Sequence, residues 1–493
     1  MPLVKLDIPA GASRNGTEYE TAGRWRDMSL IRFFNNVIQP IGGWRERIAT
    51  QLTGKPRAIR AWRDNDGNRW LGIGTHTNLY ALSGGGDLYD ITPAGFQVGI
   101  PDAAGSVGYG VGPYGSYEYG LPRPDSAATN TQWASMWTLD TWGQNLICCM
   151  HGDGVIYEWP LDTIAPIAAV AVANAPTNCA GVIVSEERIL FAYGANGNDR
   201  QIDWSDQENN TLWTPASTNQ AGSQLLQTNG RIVGACRVNG GTLFVTDVDA
   251  HQAVFTGAPF IFRFDRIGTS CGLISRGALA QVENVAMWMG FGGFWTASGG
   301  VTPIDCPVSE YIFNDMNKDQ SSKVVANVNI QYGEVTWWYP SEASNENDRY
   351  VTYNYRNGTW ATGYLSRTCG SDGGVFGSPV MCDADGYIYD HEIGILEAGL
   401  AFAETGPIEM GAGDNLSIVN SIIPDTINNG DVTASFTTRL YPASEEIVHG
   451  PYTLNSPTSV RFTGRQIKMK IIGGNTDWRV GDMRVEVKQG SKR

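Results

Sequence analysis

Histidine is the side chain best suited to move a proton or bind a metal near neutral pH. The chain has five: His76, His151, His251, His391 and His449. They lie far apart in sequence, and none has an HxxxH or similar ligand spacing. Other motifs are missing too: there is no GxxxxGK[ST] phosphate loop and no HExxH pair. Two acidic turns come closer to chemistry. Asp383-Ala-Asp385-Gly386-Tyr-Ile-Tyr-Asp390 and Asp64-Asn-Asp66-Gly67 both begin like calcium loops. Neither supplies the further oxygen donors of a full site. Asp-Gly is also a preferred hairpin dipeptide, because φ > 0 is accessible there, so both are expected to be hairpin turns.

Paired carboxylates would serve glycoside cleavage, and the chain is rich in acid. The SxDxGxTW box of sialidase propellers does not occur; Ser371-Asp372-Gly-Gly is only a fragment of it. The eight cysteines are Cys148, Cys149, Cys179, Cys236, Cys271, Cys306, Cys369 and Cys382, with no CxxC pair. They are expected to be free, buried thiols of a reducing compartment, not a disulfide or metal framework. No residue is assigned a catalytic, cofactor-binding or metal-ligating role. No cofactor and no enzymatic activity are expected.

The elements that carry these residues are strands. The 493 residues are enough for two or three domains, and 42% hydrophobic content can build a large core. Sixty Gly and 23 Pro supply turns. Sixteen Trp, 20 Tyr and 16 Phe favour strand over helix. Short meanders recur at 57–92, 134–160, 181–214, 232–267, 277–304 and 324–362. Their period is roughly 35–50 residues, the span of a propeller blade. A short unit at 374–390 can close a ring with an N-terminal strand. The expected fold is all-β: residues 57–394 form a β-propeller, six blades favoured, interrupted by an exposed Gly/Tyr-rich loop at 105–124.

After about residue 395 the repeat stops. Residues 395–493 are expected to form a β-sandwich structurally separate from the propeller. In Gln466–Ile472 the alternation should turn Ile467, Met469 and Ile471 inward and Lys468 and Lys470 outward. Residues 1–56, with Trp25, Phe33, Phe34 and Trp44, should pack outside the blades.

Charge is uneven. Residues 1–63 hold 11 Lys/Arg against 5 Asp/Glu, residues 64–394 hold 14 against 34, and residues 395–493 hold 10 against 11. The acidic middle would repel DNA, and the basic start is expected to face another protein. The first residues lack the apolar run of a signal peptide. The most apolar stretch, 164–175, is shorter than the about 20 residues that cross a bilayer. Synthesis in a cytoplasm, with no stable membrane anchor, is expected.

Three segments resemble a known family. They are Leu243-Phe-Val-Thr-Asp-Val-Asp-Ala-His-Gln-Ala-Val-Phe-Thr-Gly through Gly272-Leu-Ile-Ser-Arg-Gly, then Pro303-Ile-Asp-Cys-Pro-Val-Ser-Glu-Tyr-Ile-Phe, and finally Gly464-Arg-Gln-Ile-Lys-Met-Lys-Ile with Trp478-Arg-Val-Gly-Asp-Met-Arg-Val. In type and order they are similar to the head-completion, or tail-nozzle, proteins of short-tailed bacteriophages, also called packaged-DNA-stabilising proteins. The chain departs from that family in its Gly/Tyr-rich loop and its basic tail Lys488–Arg493. The resemblance implies a virion tail protein, six copies forming a ring below the portal and adaptor and beside tail fibres or spikes. It implies that the ring retains packaged DNA and forms its exit path, with DNA passing and not specifically bound. The alternative from the residues is a glycan-binding or glycan-cleaving propeller of a tail.

Overall fold

The structure is a computed structural model that describes residues 3–103, 132–162, 168–409, 415–427, 431–442 and 444–491. The loop at 105–124 lies outside the described residues. Seven four-stranded antiparallel sheets form the propeller. Blade 1 runs from Pro56–Arg63 to Leu88–Asp90, blade 2 from Trp137–Trp142 to Val170–Ala171, and blade 3 from Gly181–Val184 to Gly222–Leu225. Blade 4 runs from Ile232–Val238 to Ile261–Thr269, blade 5 from Leu279–Val282 to Val301–Ile304, and blade 6 from Val325–Asn329 to Arg349–Asn354 and Thr359–Tyr364.

The expected six blades are therefore seven. Blade 7 consists of Cys369–Ser371, Val380–Cys382 and Ile388–His391, with Trp44–Glu46 from the N-terminal region as its outer strand. Glu46 pairs with Tyr389 and Trp44 with His391. Val380–Cys382 and Ile388–His391 answer to the short unit expected at 374–390, and an N-terminal strand closes the ring as expected; that unit is a full seventh blade.

Blades stack face to face, so their inner strands are covered on both sides. Successive strand residues point to opposite faces. In Asn145–Met150, Cys148 joins the core shared with blade 1 residues Trp62 and Trp70, while Cys149 joins the core shared with blade 3 residues Val182 and Leu190. Two covered faces explain why such strands read as continuous apolar runs without a period.

The sandwich has two sheets. One is ordered Ile31–Phe34, Val37–Pro40, Arg479–Gln489, Ser417–Ile427, Thr458–Gly464, with Leu3–Leu6 also paired to Arg479–Gln489. The other is ordered Trp25–Ser29, Phe402–Thr405, Gln466–Ile472, Thr433–Arg439, Ile447–Thr453, with Ile408–Glu409 also on Gln466–Ile472. Phe436 and Phe462 stack across the two sheets with centroids 4.9 Å apart. Ile467, Met469 and Ile471 are buried and Lys468 and Lys470 are half-buried, in the expected alternation.

Two expectations change. The N-terminal segment lies outside the blades only in part: its first strands complete both sandwich sheets, but Trp44–Glu46 is a strand of blade 7. Nor is the sandwich separate from the propeller. One continuous hydrophobic core runs from Met469 and Ile471 through Met28 and Ile31 to Trp337 and Trp360 of blade 6. Among the described residues the α-helical content is a single short helix, Ser309–Asp315, and no helix is long and apolar enough to cross a membrane.

Candidate functional site

The first strand of each blade faces the propeller axis, and together they line a cavity of about 530 Å³. Asp140, at the inner edge of blade 2, organises its charge. Its Oδ1 accepts from Arg60 of blade 1 (3.1 Å), and its Oδ2 accepts from Arg237 of blade 4 and from the Val184 amide of blade 3 (2.9 Å). Arg237 Nε also donates to Val184 O at 2.7 Å. Burial opposes ionisation of Asp140, but Arg60 and Arg237 outweigh it and hold its pKa below the ordinary value. Asp140 is thus a fixed anion that ties four blades together, not a proton donor.

Two segments reach across one end of the cavity. Residues 99–103 and 132–136 flank the connection between blades 1 and 2, and both flanks cross the mouth. Pro101 O accepts from Arg57 Nη2 at 2.7 Å, and Asp102 pairs with Lys323 at the entry to blade 6. Ala103 exchanges two hydrogen bonds with Gln320, of 2.9 and 3.0 Å. On the other flank, the Trp133 ring lies 3.8 Å beneath the Arg231 guanidinium at the entry to blade 4.

Glu346 anchors the first flank. Its carboxylate accepts from Arg57 (2.8 and 2.9 Å), Lys55 (2.8 Å) and Lys323 (3.0 Å). Burial works against its charge, yet Arg57, Lys55 and Lys323 pull its pKa down to about 2. Lys323 also donates to Asn345 O at 2.6 Å. Arg57 and Lys323 are buried and Glu346 and Lys55 half-buried, and charged hydrogen bonds are strong in such a setting. No linear pattern signals this network, because Arg57 and Glu346 are 289 positions apart.

The residues singled out by type are scattered by the fold. His76 accepts from the Lys55 amide at 2.9 Å, His251 lies 3.1 Å from Asp249, His391 accepts from Arg367 at 2.8 Å, and His449 contacts Thr438 at 3.0 Å. His151 lies beneath the cap, where Arg276, burial and Arg231 push its pKa down to about 3. All eight cysteines are free and buried. Both acidic turns are hairpin turns. Asp64 accepts from the amides of Asp66 and Asn68, and Asp383 from those of Asp385 and Tyr387. Asp372 accepts from the Gly374 amide. Among the described residues no group of His, Cys, Asp and Glu is arranged to hold a metal ion.

Part of the basic start of the chain pairs with acid in the blades. Arg32, Arg47, Lys55, Arg57 and Arg60 pair with Glu334 and Glu392, Asp390, Glu346, Glu346 and Asp140. Five of the eleven cations in residues 1–63 thus neutralise acid in the blades.

No family model matches the sequence, and no curated protein matches it. Among solved structures, a streptogramin B lyase is 11% identical with a TM-score of 0.42, covering 71% of this chain and 97% of that one. A virginiamycin B lyase from Staphylococcus aureus is 9% identical with a TM-score of 0.42, covering 71% and 98%. BamB from Moraxella catarrhalis is 8% identical with a TM-score of 0.36, covering 74% and 93%. What this chain has in common with them is the fold: it is all-β, a β-propeller.

Proposed function

We propose that this chain is a virion structural protein: the tail-nozzle, or head-completion, subunit of a short-tailed bacteriophage. In this reading six copies form a ring that retains packaged DNA and conducts it out during ejection. The ring meets adaptor or portal-side protein above and tail fibres or spikes beside it. The subunit is made in the host cytoplasm and acts in the virion tail, and its role is structural and not catalytic.

The observation that carries the reading is the ion-paired mouth of the propeller. A small capped cavity whose central carboxylate is held ionised by two arginines suits a rigid building block. A conduit for duplex DNA, whose major groove alone is about 12 Å wide, must then lie between copies and not through the propeller. The segments that resemble the family fall on scaffold elements, which supports the reading further. They occupy the inner strands of blade 4, the helix Ser309–Asp315, and the strands Gln466–Ile472 and Arg479–Gln489 inside the two sandwich sheets.

Native mass spectrometry and negative-stain imaging of the full chain test this. A six-copy ring with an open axis is the expected result. A chain that stays monomeric at all concentrations tested would overturn it. Turnover of a bacterial surface glycan, abolished by one carboxylate substitution, would replace it with the glycan-cleaving reading.

A further inference from the structure

We infer that the capped mouth of the propeller binds one tetrahedral oxyanion of the inorganic phosphate class, as a structural ion beneath Trp133. The inference does not depend on the role proposed above.

A second cavity, of about 40 Å³, lies under the cap. That is room for about three waters or one five-atom oxyanion. Its walls include Trp133, His151, Arg231, Arg276 and Ser322. Arg276 donates to Ala180 O and contacts the Tyr193 hydroxyl, and it has no carboxylate partner among the described residues. Arg231 is different: its Nε is 3.4 Å from Asp247 Oδ2. Ser322 is 4% exposed, yet its hydroxyl has no hydrogen-bond partner among the described residues. Asp199 is the carboxylate at the rim, and it is exposed.

A guanidinium without a counter-ion and an orphaned hydroxyl therefore line one small cavity. Burying a charge without a partner is costly, and burying an unpaired hydroxyl adds to that cost. A tetrahedral oxyanion corrects both at once. Its separate oxygens can accept from the planar Arg276 fork and from Ser322 Oγ together. His151, held neutral by Arg276, adds no competing cation. Trp133 forms one wall of the cavity, whose volume of about 40 Å³ suits a single free ion. Bound there, the ion would link the entries to blades 3, 4, 5 and 6 and fix the cap in place.

The test is titration of the full chain with inorganic phosphate, after exchange into buffer free of phosphate and sulfate, at constant ionic strength. Calorimetry should give one saturable site per chain, and thermal unfolding should shift upward with the same midpoint. Arg276→Met should weaken binding by about tenfold or more, the loss of one charge-assisted hydrogen bond. Ser322→Ala should weaken it by a smaller factor and keep the native circular dichroism, so it decides the matter if Arg276→Met does not fold. No saturable phosphate binding in the wild type would overturn the inference. So would unchanged affinity in Ser322→Ala, or an equal saturable shift with chloride.

Discussion

Arg32, on the N-terminal strand Ile31–Phe34, forms a two-pronged ion pair with Glu334, on the second strand of blade 6. Its Nε lies 3.1 Å from Oε1 and its Nη2 2.9 Å from Oε2. Glu392, just beyond the third strand of blade 7, closes on the other side at 2.9 and 2.5 Å, and the guanidinium stacks 3.5 Å over the Tyr332 ring. Nearby, the Leu30 amide donates to Tyr350 Oη and the Tyr364 amide to Ser29 Oγ. One arginine thus fastens the sandwich to the last two blades of the ring.

Removing that arginine leaves two carboxylates in a site where Arg32 is 3% exposed. Arg32→Met is expected to cost about 3–5 kcal/mol, the usual penalty for breaking one side of a buried ion pair. Urea unfolding measures it. A loss below about 1 kcal/mol would mean that the clasp behaves like a surface pair.

Glu346 makes the fold sensitive to acid. Its folded pKa of about 2 lies below the ordinary 4.5, so the unfolded chain takes up the proton first as pH falls. Its stabilisation is complete above about 4.5 and is lost as pH drops toward 2, on the order of 3 kcal/mol in all. Glu334 works in the opposite direction. Burial raises its pKa even though Arg32 opposes the shift, so its contribution is largest in acid and declines as pH rises through its folded value. Glu346→Gln should lower stability at neutral pH and flatten the acid limb. Denaturant midpoints of both proteins, compared across that range, check this. Parallel acid limbs would show that the carboxylate is not the titrating group.

Asp140 predicts a coupling between blades. Asp140→Asn leaves Arg60 and Arg237 facing each other across the axis without their anion, at a cost of about 3 kcal/mol. Adding Arg237→Met to Asp140→Asn should then cost less than the same change in the wild type. A double-mutant cycle on thermal unfolding measures the interaction. Additive effects would mean that the two residues do not share an energetic link.

Legibility in the sequence followed the number of wet faces. Gln466–Ile472 alternates because its lysines reach the surface, and Met469, 1% exposed, was readable as core. Met469→Lys should cost a few kcal/mol, about 3, by stranding a charge in that core; a neutral effect on urea unfolding would remove the strand from it. Asn145–Met150 lost its period because neighbouring blades cover both faces. Blade 7 was legible as a short unit closed by an N-terminal strand, but its strands of three or four residues kept it from being counted as a full blade. The mouth network was hidden for another reason. Arg57, Lys323 and Glu346 meet only once the ring has closed, and a count of charges along the chain made Arg57 look like part of a free basic patch.

That inward use of cations bears on DNA. A protein holds duplex in proportion to the phosphates it neutralises, and each one contributes to a steep salt dependence. Here Arg32, Arg47, Lys55, Arg57 and Arg60 are already matched by carboxylates of the same chain. Residues 64–394 add 34 acidic against 14 basic side chains. A ring of such subunits should present acidic or neutral groups to its axis and let DNA slide. Fluorescence anisotropy with labelled duplex at physiological salt should show binding weaker than about 10⁻⁴ M, the weak end of non-specific association. Lowering the salt should reveal no slope of several ions. Tight binding with a steep slope would contradict a sliding surface, and so would an assembled ring whose narrowest part is lined by Lys and Arg.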